Sequence, residues 1–309
     1  IGDFHMLNVA DIELSNNSRK IGLIDVDDVG NNVPLLIDLS RLLVASQVSP
    51  ANVKIDKLLA SYFKGIENNS FRSSFVQDTL KKSIKDYEDL YEAYIKHNTH
   101  NEHFDSNSEV LPIDSAPKPI QGLFSLVRKN LDQAVFEYAP QAEILDFGFR
   151  VKATGGSKGI PRFLYLIKSP DGKLEIIEFK EFVNSSAEKY LPQGSKLRRF
   201  NAAVKMYRPK EKVSGIFSLI NSEGHYFIAR TKLPTFVDFK IDDKMNKEDK
   251  RNLGEFTIFL SNLYGLLQRN QMTVSQQEWL LKNKDLVSAE LTKFVKSYIT
   301  ALKKINSTD

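Results

Sequence analysis

Two stretches near the start of the chain decide how it is read: "GDFHMLN" at residues 2–8 and "KIGLIDVDDVGNNVPLLIDLSRLL" at residues 20–43. The first sets Asp3, His5 and Asn8 on one short loop. The second ends a β-branched apolar run on Asp25 and adds Asp27 and Asp28. An Asp and an Asn close together on a loop, followed by a strand that delivers another Asp, form the constellation phosphoryl transfer needs. Asp3 would orient or deprotonate the attacking hydroxyl. Asn8 and Asp25 would hold magnesium against the phosphates, and Asp27 offers a further metal ligand. Magnesium takes hard oxygen ligands, few of them from protein, and one Asp with one Asn suits that economy. Each residue alone has a plainer reading: a Gly-Asp turn, a capping Asn, a solvated acidic turn. Together with the trailing "IDLSRLL" they favour a phosphotransfer-type site.

Outward from this motif, "KIGLIDV" (20–26) reads as a strand and 33–47 as a helix with Pro34 near its start. Residues 51–66 and 73–97 continue as amphipathic helices. The polar, Pro-bearing stretch 97–120 reads as a loop, and a helix follows at about 122–138. Then the texture changes. "FRVKATGG", "PRFLYLIK", "KLEIIEFKEF", "VSGIFSLI" and "HYFIARTKL" are five strand-like runs, several separated by turn signals such as "SPDGK" and "NSEG". Helical patterns return at 248–269 and 276–304. The division expected is 1–140 as the first part of a helical lobe, 141–245 as a β-rich lobe, and 246–309 as helices completing the first.

Composition narrows the classes. The 309 residues are 41% hydrophobic, enough for a sizeable core, and no apolar run approaches the roughly 20 residues that span a bilayer. A net charge of +4 from 43 basic and 39 acidic residues leaves no nucleic-acid footprint. The absence of cysteine excludes disulfides and thiolate metal sites. These features point to a cytoplasmic protein with neither nucleic-acid nor membrane partners; because the first residue is Ile, a removed leader stays open.

The opening segments resemble the catalytic and metal-binding segments of aminoglycoside-phosphotransferase-like kinases, which read His-Gly-Asp-x-His-x-x-Asn and then Ile-Asp-x-x-Asp. Over most of its length the chain more closely resembles an uncharacterised bacterial family, domain of unknown function 2252 (DUF2252). That family carries Gly-Asp-x-His-x-x-Asn, an Asp-Phe-Asp-Glu run and Asp-Leu-x-Arg-Leu. Here these stand as Gly2 to Asn8, Asp25-Val26-Asp27-Asp28, and Asp38-Leu39-Ser40-Arg41-Leu42. The resemblance implies that Asp3 is the catalytic base, that Asn8 and Asp25 are metal ligands, that Asp38 is a structural acid, and that His5 braces the loop.

A kinase also needs a small β-lobe with a glycine-rich loop and a phosphate-binding lysine, ordinarily ahead of the catalytic loop. In this chain the candidate comes later. Gly155, Gly156 and Gly159 lie between two strand-like runs, where backbone amides can wrap phosphates. The next strand bears Lys180, flanked by Glu178 and Glu181. By itself the glycine turn reads as a hairpin and the lysine as a solvated edge. In the DUF2252 family a Gly-rich hairpin and a Leu-Gln-x-Lys-Glu-Ala segment match, with Lys180-Glu181 at its Lys-Glu. The resemblance therefore implies an α+β, two-lobe, protein-kinase-like fold in circularly permuted order, with a small antiparallel β lobe. It implies an ATP (or other purine nucleotide) and magnesium cofactor pair, with phosphoryl transfer to a hydroxyl of an unknown small-molecule or protein acceptor.

Two alternatives stay open: a nucleotide-binding pseudokinase, and nucleotidyl transfer by the same site. The first is favoured by "RRFNAAV" (198–204), which has no acid to pair with a strand lysine; Glu188 is the nearest. The tripeptide Asp146-Phe147-Gly148 matches a kinase metal loop, but no catalytic loop lies just before it, and it reads as coincidence. His97, His100 and His103 have zinc-like spacing without an evident fourth ligand. The basic helix 276–304 reads as core-facing with a solvated lysine face.

Overall fold

Runs rich in large apolar residues between 143 and 231 build five of the six strands of an antiparallel sheet, and Leu111–Pro112 adds the sixth at its edge. The computed structural model describes residues 8–26, 29–30, 34–105, 110–150, 159–208, 210–232, 235, 239, 241 and 244–306. In chain order the elements begin with a hairpin, β1 (Val9–Glu13) and β2 (Arg19–Leu23). Four helices follow: α1 (Ile37–Val48), α2 (Ile55–Ile66), α3 (Ser74–Lys85) and α4 (Tyr87–Asn98). Three short strands come next, β3 (Thr99–His100), β4 (His103–Phe104) and β5 (Leu111–Pro112), and then the long helix α5 (Lys118–Tyr138). The sheet strands β6 (Glu143–Arg150), β7 (Arg162–Lys168) and β8 (Leu174–Glu181) lead to α6 (Lys196–Tyr207). After it come β9 (Phe217–Ser222) and β10 (His225–Thr231), and finally α7 (Lys247–Arg269), α8 (Val274–Lys282) and α9 (Lys284–Asn306). The sheet order is β5-β6-β7-β8-β10-β9.

Four of the strand-like runs of the sequence overlap β7 to β10, while β6 lies ahead of the first, "FRVKATGG" (149–156), sharing only Phe149 and Arg150 with it; the result is a mixed α+β protein. Between Arg162 and Lys168 β7 is apolar at every position because both faces of the sheet are covered, so alternation has no polar side to show there. On one face, Phe124, Val127, Leu131 and Val135 of α5 pack on Phe149, Phe163, Tyr165, Phe179 and Phe227. On the other, Tyr87, Tyr91 and Ile95 of α4 cover Leu164, Leu166 and Ile176. Toward the far end of that second face the row becomes charged, with Arg162 on β7 and Glu178 and Lys180 on β8, all buried.

The helical layer is organised by the crossing of α2 and α7. Gly65 and Gly265 meet there. A Cβ on Gly265 would lie 2.2 Å from the Tyr62 carbonyl oxygen, and one on Gly65 2.2 Å from that of Asn262. Contact this close lets Ser261 Oγ donate to the Leu58 carbonyl (2.7 Å) and Ser61 Oγ to that of Ile258 (2.9 Å). Asn262 clamps the exit of α2, donating to the carbonyls of Ser61 (3.0 Å) and Asn69 (2.9 Å) and accepting from the Phe71 N–H. Asp38, expected to be a structural acid, is buried in this layer, with the Tyr264 hydroxyl 3.4 Å from its Oδ2.

Several boundaries differ from the sequence reading. The segment at 122–138 was expected to join the helical lobe; α5 begins at Lys118 and packs on the sheet instead. The pattern at 73–97 breaks at Asp86 because its halves bury different partners: Val76 of α3 faces the helical core and α4 faces the sheet. The run at 276–304 breaks at Asn283, whose amide donates to the Trp279 carbonyl at 2.7 Å. The loop at 97–120 holds the β3–β4 hairpin and β5. Finally, Val9–Glu13 is a strand; its buried Asp11 is matched by buried Arg19 at 2.7 Å.

Candidate functional site

Asn8 and Asp25 sit at the open end of the β1–β2 hairpin. Val9 pairs with Leu23, and one step further out the Ile24 N–H donates to the Asn8 carbonyl at 2.9 Å. Antiparallel register thus sets Asn8 opposite Ile24, the residue just before Asp25. From the sheet, β8 delivers Lys180. Its ammonium donates to both Asp25 carboxylate oxygens, at 3.0 and 2.9 Å. Lys180 is 1% exposed and Asp25 24%, so a buried cation is held by a carboxylate with one side open to solvent. The pair ties the opening hairpin to the β-sheet.

Beside this pair lies a denser charge cluster. Glu178 has the same strand parity as Lys180 and is completely enclosed. Arg230, its cross-strand partner on β10, donates from Nε at 2.7 Å; Lys232 Nζ and Arg162 Nε stand at 3.8 and 3.9 Å. Burial, the largest single influence on Glu178, opposes ionisation. Arg230, Lys232 and Arg162 together outweigh it and hold the carboxyl at about 2. For Lys232 the attraction of Glu178 favours the charged form, yet burial with Arg230 and Arg150 prevails and pulls the amine down to about 8. Burial also lowers Arg162 below its ordinary value, and burial with neighbouring Arg230 brings Arg208 to about 10. Two of these arginines reach the backbone just ahead of Asp25: Arg230 Nη1 donates to the Ile24 carbonyl (2.7 Å) and Arg208 Nη1 to that of Leu23 (3.0 Å).

The site residues read from the sequence divide into three groups. Asp25 and Lys180 come together, and the Asn8 backbone is bonded to Ile24, the residue before Asp25. Glu181 does not join them: strand alternation turns it to the opposite face, where it pairs with His225 Nδ1 at 2.9 Å. Gly159 stands just before β7 with φ +76°. Asp3, His5, Asp27, Gly155 and Gly156 lie outside the described residues. Helix α6 has no acid, and Glu188 is on an exposed 3-10 turn; the inward charge of α6 is Arg199, stacked over Phe182 at 4.3 Å. Asp146 has a structural task, accepting the backbone N–H groups of Phe104 and Phe147 at 2.8 Å and so tying the β3–β4 hairpin to β6. His100 and His103 face each other across that hairpin.

Glu178, Arg230, Arg208 and Arg162 were not singled out as site residues. The one signal for them in the sequence is that Glu178 shares Lys180's parity between the apolar residues Ile177 and Phe179 of "LEIIEFKE". Among the described residues no three His, Asp or Glu side chains form a ready cation cage. No helix among them is long and apolar enough to cross a membrane. An open groove of about 710 Å³, lined by α5 residues including Arg128, Asp132 and Phe136, lies across the sheet from Lys180. Comparison with known proteins gave no matching family model, no matching curated protein and no matching solved structure.

Proposed function

We propose that the chain is an ATP- and magnesium-dependent phosphotransferase with a kinase-like site in permuted order. The observation that carries the reading is the Lys180–Asp25 pair. A strand lysine from the sheet and an acid from the opening motif, far apart in sequence, meet in one place. Kinases set a glycine-rich loop over the phosphates, a lysine on the third strand, and a helix that follows it. Here the Gly155–Gly159 segment separates β6 from β7, Lys180 is on β8, and α6 comes next. Asn8 and Asp25 supply an amide oxygen and a carboxylate, the hard donors that suit magnesium, which keeps water and phosphate for its other positions. Bound magnesium would neutralise charge on the transferring phosphoryl group. Lys180 would exchange the Asp25 carboxylate for a phosphate oxygen, and Asp3 would take the acceptor's hydroxyl proton.

A second reading rests on α6. With no acid there to steady Lys180, the chain would bind nucleotide without turning it over. A thermal-shift panel of nucleotides with and without magnesium tests the shared premise. A ligand at 100 times its Kd stabilises the native state by about 2.7 kcal/mol, and the melting temperature follows. The expected result is a shift with a purine nucleotide that needs magnesium. No shift with any nucleotide at millimolar concentration would defeat both readings. Turnover then separates them: Asp3→Asn should abolish phosphate release or transfer while leaving affinity nearly intact, whereas a wild type that binds without turnover is a pseudokinase.

A further inference from the structure

Resting on that reading, we infer that Glu178 and Arg230 are positioning residues that set the Asp25 carboxylate for its metal, replacing the organising acid that α6 lacks. The peptide unit joining Ile24 to Asp25 is the point they control. Its carbonyl accepts from Arg230 Nη1 at 2.7 Å, while the Ile24 N–H just before it is bound by the Asn8 carbonyl at 2.9 Å. The residue preceding Asp25 is therefore gripped from both sides, by the strand carrying the other metal-ligand candidate and by the sheet. Arg230 can grip because Glu178 holds the rest of its guanidinium: Nε lies 2.7 Å and Nη2 2.5 Å from the same carboxylate oxygen. A guanidinium suits this task, since its rigid fork serves a carboxylate and a carbonyl at once, which an ammonium does not. Glu178 and Arg230 are directly paired across β8 and β10, so sheet register fixes their relation. Arg208 adds a parallel hold on the Leu23 carbonyl at 3.0 Å.

The other charged groups facing Glu178 are Arg162 on β7 and Lys232 just beyond β10, and both also feel the Asp25 charge. Partners that orient a metal ligand typically contribute 10–100-fold to metal affinity. The effect should therefore appear in how strongly magnesium promotes nucleotide binding, and not in stability alone.

The test is titration of the full chain with ATP across a magnesium series, for wild type, Glu178→Gln, Arg230→Gln and Arg230→Lys. Gly265→Ala, which perturbs the α2–α7 crossing, is the control for general destabilisation. The quantity read is the ratio of ATP Kd without magnesium to Kd with it. Arg230→Gln should lower this ratio by about tenfold or more, with magnesium-free affinity nearly unchanged. Glu178→Gln should lower it to a smaller extent, and Arg230→Lys should restore part of it. Gly265→Ala should leave it at the wild-type value. If Arg230→Gln does not fold, Glu178→Gln and Arg230→Lys read the same ratio. A wild-type ratio in the Glu178 and Arg230 variants, despite lowered melting temperatures, overturns the positioning role and leaves the phosphotransferase reading standing. A wild type that binds no ATP overturns both.

Discussion

Replacing Glu178 by Gln preserves the side chain's shape and removes the charge that Arg230, Lys232 and Arg162 surround. The carboxyl is held at about 2 against an ordinary 4.5. At ~1.36 kcal/mol per pH unit this is about 3 kcal/mol of stability at neutral pH. The native value is depressed, so the unfolded chain takes up the proton first as pH falls. The contribution is complete above about 4.5 and is lost as pH falls toward 2. Lys232 acts in a separate window. Its amine is pulled to about 8 from 10.5, so its contribution rises with pH between those values and leaves the acid range untouched. Urea unfolding of wild type and Glu178→Gln at pH 7 and pH 3 reads the difference directly. The gap should be about 3 kcal/mol at pH 7 and roughly 2 kcal/mol smaller at pH 3. A gap equal at both pH values to within about 0.5 kcal/mol would refute the claim that cations hold this carboxylate charged.

Gly265→Ala should drive α2 and α7 apart, because the new Cβ would meet the Tyr62 carbonyl at 2.2 Å. The expected cost is about 2 kcal/mol even after the gain in helix propensity, seen as a lower urea midpoint. Glu255 Oε1 accepts from Ser73 Oγ (2.8 Å) and the Phe75 N–H (3.1 Å) at the start of α3. Glu255→Ala should cost about 1 kcal/mol and speed hydrogen exchange at the Phe75 amide. Asp146→Ala should speed exchange at the Phe104 amide, freed of its 2.8 Å bond, and leave nucleotide binding unchanged; loss of magnesium-dependent binding would restore a metal role to that tripeptide.

How far the sequence could be read follows from which interactions are local. β7 to β10 were visible because apolar and β-branched runs between turn signals need no partner to be recognised, whereas β6 was read too late in the chain, its acids Glu143 and Asp146 masking the start. Strand β1 was not visible: "VADIE" carries Asp11 and Glu13, and the burial of Asp11 is matched by Arg19, supplied by the next strand. The apolar stripe of α5 announced a helix but not what it covers, since a sheet face and a helix face offer the same chemistry. For the same reason the break at Asp86 was hidden, the amphipathic pattern running on through it while the partner changes. At the site, Lys180 and Asp25 were named by motif and by resemblance. The link from Glu178 through Arg230 to Ile24 was out of reach, because it depends on the β8–β10 register, which strand periodicity does not give.

The account stands most directly on whether Lys180 and Asp25 together form a magnesium-dependent nucleotide site. Calorimetric titration of ATP into wild type and Lys180→Met, each with and without magnesium, decides it. Lys180→Met fills the same buried space without a charge to offer a phosphate, so folding and affinity are read on one sample. The account predicts binding by the wild type that tightens with magnesium, and at least about tenfold weaker binding by Lys180→Met, since a charge-assisted bond to phosphate is lost. Equal affinity in the two proteins, or no heat from the wild type at millimolar ATP with magnesium, would contradict it.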